Sequence, residues 1–172
     1  MRTLLRCMAV AAISGMAFVS QVGAEEETVP LENLPKAVTD AVKKMFPKAE
    51  LIKATKEEED KEVNYEVTVK VEGKQIDITV EADGKIEELE KEIDLKDLPK
   101  AVTEALEKNH PKAVHKSAEA VYEIEDGKEE LEYYEVQLVT SDKKMIEVKI
   151  KANGKIITDK EDEKGDNKDD DK

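Results

Sequence analysis

LPKAVTDAVKKMFPKA (Leu34–Ala49) returns later in the chain as LPKAVTEALEKNHPKA (Leu98–Ala113). The first six residues of each copy, Leu34–Thr39 and Leu98–Thr103, are identical and stand at an offset of 64. A repeat is sought first because it sets the architecture: what one copy folds into, the other should fold into as well. In the first copy Leu34, Val38, Ala41, Val42 and Met45 fall at three- and four-residue spacing, one apolar stripe of a helix. Asn33 is placed to cap that helix, and Pro35 sits in its first turn, where a missing N–H costs nothing. Pro47 ends it by excluding Phe46 from the helical region. In the second copy Asp97 takes the capping place and Pro99 repeats Pro35. Leu98, Val102, Ala105 and Leu106 rebuild the stripe, and Asn109 and His110 stand where Met45 and Phe46 stood.

Beyond each helix the period changes from 3.6 to 2. Ala49 to Lys56 reads as a weak strand and Glu57 to Glu62 as an acidic turn. Val63, Tyr65, Val67, Val69 and Val71 alternate with Asn64, Glu66, Thr68 and Lys70, the pattern of a strand buried on one side. Gly73-Lys74 reverses the chain, and Ile76, Ile78 and Val80 alternate with Asp77, Thr79 and Glu81. Asp83-Gly84 is a hairpin signal, since that dipeptide tolerates two positive φ angles. Past Leu89 the pattern is ambiguous, because Ile86, Leu89 and Ile93 also fit a helical stripe. The second copy repeats the series: Tyr134, Val136 and Leu138, then Ile146, Val148 and Ile150, then Asn153-Gly154-Lys155. The offset between the copies grows from 64 to 69 and then 70, at hairpins, where insertions are tolerated.

The expected fold class is α+β: two tandem units, each a helix packed on a three- to four-stranded antiparallel sheet. The expected organisation is a signal peptide over 1–24, an N-terminal segment over 25–30, units at 31–93 and 94–158, and a disordered acidic tail at 159–172. In the leader, Arg2 and Arg6 precede an apolar run, and Val22-Gly23-Ala24 meets Glu25-Glu26-Glu27, which places cleavage between Ala24 and Glu25. The run is too short to span a bilayer comfortably. The expected product is exported, periplasmic or secreted, with no stable membrane insertion after leader cleavage. The tail has no apolar residue to offset the cost of ordering it.

The chain has 172 residues, 41% of them charged, and only 3% are aromatic. Loss of Arg2 and Arg6 with the leader, and of no acid, takes the net charge from −14 to −16. Such acidity repels phosphate and argues against nucleic acid as a partner. The one cysteine, Cys7, lies in the leader, so no disulfide or thiolate chemistry is expected in the mature chain.

No motif carries catalysis. His110 and His115 are the two histidines, and neither belongs to an HExxH pair or a metal-ligand cluster. The EF-hand pattern, the G-x-S-x-G elbow and a phosphate-binding glycine loop are all missing. The reading is no enzyme, no cofactor and no metal ligand set, with the acids taken as a solvated surface.

The ordered pattern LP-x-AV, a proline-ended helix, Y-E-V and a D/N-G-K turn resembles the PepSY-like, β-lactamase-inhibitor-like family. Leu34–Val38, Phe46-Pro47, Tyr65-Glu66-Val67 and Asp83-Gly84-Lys85 carry it in the first copy. Leu98–Val102, His110-Pro111, Tyr134-Glu135-Val136 and Asn153-Gly154-Lys155 carry it in the second. The resemblance implies a bacterial exported protein of helix-on-sheet units with a non-catalytic role, binding or restraining peptidases in trans. His110 departs from the aromatic that the pattern has before the proline.

The expected function is a non-catalytic exported interaction module that inhibits or regulates a secreted or periplasmic enzyme such as a peptidase, through an unknown protein partner in the cell envelope. The alternative is an acidic cation-binding, calcium-buffering envelope protein acting through its tail. The expected partner face is the polar side of the strands: Glu66, Thr68, Lys70, Asp77 and Thr79 in the first unit, Glu135, Gln137, Glu147 and Lys149 in the second.

Overall fold

The computed structural model describes residues 27–59 and 62–157. The signal-peptide reading with its Ala24/Glu25 cleavage and the tail reading over 159–172 lie outside the described residues. The strands are β1 (Glu27–Thr28), β2 (Glu50–Glu59), β3 (Glu62–Val71), β4 (Lys74–Glu81), β5 (Ile86–Ile93), β6 (Val114–Glu125), β7 (Lys128–Val139) and β8 (Met145–Ile150). Two ten-residue helices, α1 (Lys36–Met45) and α2 (Lys100–Asn109), stand among them.

The fold class expected from the sequence is corrected here. The eight strands belong to one sheet in the order β1 to β8, so the chain is mainly β, and it is not two helices on two separate small sheets. The reason is the limit of periodicity. Alternation identifies a segment as a strand, but it carries no information about where a sheet ends. The break between two sheets rested on the ambiguous stretch after Leu89, and that stretch is strand through Ile93. The compact units divide between Leu89 and Glu90, and each is described by itself.

In the first unit α1 begins at Lys36, and the residue before it, Pro35, has ψ 140 and makes no side-chain cap. Asn33 therefore does not cap the helix; it closes a short 3₁₀ turn, Leu31–Asn33, and its N–H bonds the carbonyl of Pro30. Asp97 ends the equivalent 3₁₀ turn of the second unit, Leu95–Asp97. Proline at the helix start has a fixed φ but leaves ψ open, and here ψ is extended, which moves the helix two residues past the expected start. The helix ends as the prolines require. Phe46 and His110 leave the helical region, both at φ −125, before Pro47 and Pro111. Val38 and Val42 are fully buried, as are Val67 and Val69 on β3 and Ile78 and Val80 on β4.

In the second unit Leu98, Val102 and Leu106 of the α2 segment pack with Ala118, Val136, Leu138, Val148 and Ile150 in one apolar cluster. Leu106 is completely buried in it. Leu106→Ala removes three carbons from a site that cannot collapse freely, and is expected to cost about 3 kcal/mol. A fall in denaturant midpoint at constant slope would show it.

Turn geometry refines the hairpin reading. Glu72-Gly73 and Asp126-Gly127 have positive φ at both residues and close β3–β4 and β6–β7. At Asp83-Gly84 only the glycine is positive, at φ +95. The Gly84 N–H bonds the carbonyl of Glu81, and the Glu81 N–H bonds the carbonyl of Lys85, a type I turn closed by a bulge. Asn153-Gly154 repeats it: Gly154 bonds the carbonyl of Lys151, which bonds back to Lys155.

Candidate functional site

Alternation gives every strand two faces, one turned to the apolar cluster and one away from it. The nine residues expected to form a partner face lie on the second. In the first unit Glu66 stands opposite Thr79, Thr68 opposite Asp77, and Lys70 opposite Gln75. Strand β2 extends all three rows, placing Thr55 against Glu66, Lys53 against Thr68 and Glu50 against Lys70. Thr68 Oγ1 donates to Asp77 Oδ1, and Gln75 Nε2 donates to Asp77 Oδ2 at 2.9 Å. Lys70 is exposed, whereas Thr68 is 7% exposed and Thr55 3%, so the middle of this face is closed to solvent.

In the second unit Glu135 stands opposite Lys149 and Gln137 opposite Glu147. Strand β6 adds Glu119 against Glu135, Ser117 against Gln137 and Val121 against Tyr133. The expectation of a uniformly solvated polar face fails at Glu135, which is 3% exposed. Lys149 Nζ lies 3.2 Å from Glu135 Oε1 and 5.5 Å from the centre of the Tyr133 ring, so the ammonium bridges carboxylate and aromatic face. Burial pushes the Glu135 carboxyl up to about 8, and the carboxylates of Glu147 and Glu119 push the same way against the pull of Lys149. Burial also raises Glu147. The carboxylate oxygens of Glu90, Glu119 and Glu135 converge within 4.8 Å of one another, the one such set of metal-competent groups among the described residues. His110 and His115 are half-buried and belong to no such set.

The same face carries an apolar end that the sequence reading did not single out. Val114, Val139 and Met145 stand opposite one another across β6, β7 and β8. Val114 is 54% and Met145 60% exposed. Scattered exposed hydrophobics are ordinary on any surface; two in register on either side of a half-buried Val139 are a patch.

A sequence model of the β-lactamase-inhibitor-like, PepSY-like family matches residues 20–88 and again residues 64–158. The chain belongs to the PepSY-like family. Solved structures share this fold. A DUF2874 family protein from Bacteroides uniformis aligns at TM-score 0.58 and 15% identity, over 72% of this chain and 86% of that one. A protein from Bacteroides eggerthii, described as a candidate periplasmic protein, aligns at 0.58 and 17%, over 72% and 86%. A protein from Bacteroides fragilis described as BLIP-like aligns at 0.53 and 18%, over 72% and 82%. None of the curated proteins compared matches this sequence.

The PepSY-like signature residues turn out to be structural. Leu34 and Leu98 are buried, and a Cβ on Gly84 would meet the Ala37 carbonyl oxygen at 2.8 Å, as one on Gly154 would meet that of Ala101 at 2.6 Å. The two ends of the motif, LP-x-A and D/N-G-K, are thus in contact within each copy. What the sequence reading missed is the convergence on Glu135. Counting back from the Asp126-Gly127 turn, Glu119 would face Tyr134. A bulge after Val121/Tyr122 inserts one extra residue in β7 and brings Glu135 opposite Glu119 instead. The signal available was the broken alternation Leu131-Glu132-Tyr133-Tyr134.

Proposed function

We propose that this PepSY-like chain is an exported, non-catalytic protein-binding module that restrains a secreted or periplasmic enzyme, such as a peptidase, in trans. The leader reading supports export, and so does the likeness to a structure described as a candidate periplasmic protein. No helix of the described residues is long and apolar enough to cross a membrane. The observation that carries the reading is the apolar row Val114–Val139–Met145, exposed at Val114 and Met145 and half-buried at Val139, joined to the polar rows Ser117–Gln137–Glu147 and Glu119–Glu135–Lys149. An apolar patch rimmed by polar groups is the anatomy of a protein interface. Burying Val114 and Met145 would remove apolar surface from water at about 25 cal/mol per Å², while the charged rows select the partner.

Cross-linking tests this. The full chain is mixed with an envelope extract of the producing cell and treated with a lysine-reactive linker. A partner held on the proposed face is expected to link through Lys144, which is exposed and adjoins Met145. Links concentrated instead at Lys36, Lys43 and Lys108, on the helices, would place the interface elsewhere and overturn the reading.

A further inference from the structure

Acidic clusters are common on a chain this charged, and the convergence of Glu90, Glu119 and Glu135 would signify little alone. A second observation sets it apart. Glu135 is 3% exposed, and both of its carboxylate oxygens are buried without a hydrogen-bond partner. The Lys149 ammonium stands 3.2 Å from Oε1 in an ion-pair contact. A buried carboxylate is costly unless it is paired, hydrogen-bonded or bound to metal. Here it stands in a group with two further carboxylates whose oxygens lie within 4.8 Å of its own, the spacing of ligands gathered around one cation.

The donors are all oxygen, which selects a hard cation over zinc or copper. Their spacing fits calcium, whose bonds of about 2.3–2.6 Å join oxygens up to roughly 5 Å apart. Carboxylates from three adjacent strands lie on a rigid ladder, so the site is held by the fold and not by a loop. We propose that Glu90, Glu119 and Glu135 form a calcium site in the second unit, with water completing the coordination sphere. The site is independent of the acidic tail, and it does not rest on the partner-binding reading.

Calorimetric titration of the metal-stripped full chain with calcium chloride tests the proposal. The comparison proteins are Glu119→Gln, Glu135→Gln and a variant with Asp169, Asp170 and Asp171 all changed to Asn. The expected result is one calcium per chain in the parent and in the tail variant. Affinity is expected to fall on the order of tenfold or more in each glutamine variant, because carboxylate count sets the strength of a calcium site. Thermal melts of the same samples show that the variants are folded, and only the parent and the tail variant should rise in melting temperature with calcium. Glu119→Gln keeps the test independent of the buried charge, since Glu119 is only half-buried. The proposal is overturned if the parent takes up no calcium at millimolar concentration. It is also overturned if Glu119→Gln binds as tightly as the parent, or if uptake is lost only in the tail variant.

Discussion

Replacing Gly84 or Gly154 with alanine is expected to destabilise its unit by about 3 kcal/mol or more, the largest single effect anticipated for this chain. Two costs combine. The glycines sit at φ +95 and +84, where an L side chain is strained by about 1–2 kcal/mol. The added Cβ would also stand 2.8 Å from the carbonyl oxygen of Ala37, or 2.6 Å from that of Ala101. These neighbours are helix backbone, which cannot swing aside as a long side chain could, so α1 or α2 must shift off its turn. Gly73 and Gly127 provide the control. They have φ +90 and +74 with nothing within 4 Å, so alanine there incurs only the conformational cost, about 1 kcal/mol. Chemical denaturation of the four variants separates the two contributions. Equal losses at Gly84 and Gly73 would mean that the helix–turn contact contributes nothing.

The second large effect concerns pH. The Glu135 carboxyl has an ordinary value of 4.5 and is pushed up to about 8 in the folded chain, first by burial and then by Glu147 and Glu119, with Lys149 opposing. The folded state therefore holds a proton that the unfolded state has released between those limits. Stability is free of this penalty below pH 4.5, declines as pH rises through the window, and bears the full penalty above pH 8. With Lys149 close by, a penalty of a few kcal/mol is expected, below the ~5 kcal/mol that the whole shift would give. Glu135→Gln keeps the shape and removes the titration. In chelator, the parent should lose on the order of 5–10 °C more in melting temperature than Glu135→Gln between pH 5 and pH 8. The variant should be the more stable of the two at pH 8. Parallel pH profiles would show that Glu135 does not hold its proton in the folded chain.

These two residues also mark how far the sequence could be read. The repeat of LPKAVT, the proline stops, and the alternation in β3, β4, β7 and β8 follow from local chemistry, and these strands and helix ends lie where that chemistry puts them. Gly84 was legible as a turn glycine. That it also meets Ala37 was not, because a contact across 47 positions leaves no trace in either segment's periodicity. The joining of all strands in one sheet was not legible for a similar reason: Ile86, Leu89 and Ile93 fit a helical stripe, and only pairing with neighbours makes the segment a strand. The polar face was legible as a set of positions, and all nine expected residues stand on it in cross-strand rows or directly beside them. Its chemistry was not, since one bulged residue in β7 decides that Glu135 faces Glu119. Exposure at Val114 and Met145 was equally hidden, because an apolar residue at a strand end reads the same whether it is covered or bare.

The central claim is that the face bearing Val114, Gln137 and Met145 binds a protein. The dissociation constant of the partner identified by cross-linking, measured for a Val114→Asp/Met145→Asp double variant against the parent and against a Lys43→Glu/Lys108→Glu helix variant, tests it most directly. The expected result is a loss of about 100-fold in the face variant, the size of an interface hot spot, and less than about threefold in the helix variant. Unchanged affinity in the face variant, with loss in the helix variant, would contradict it.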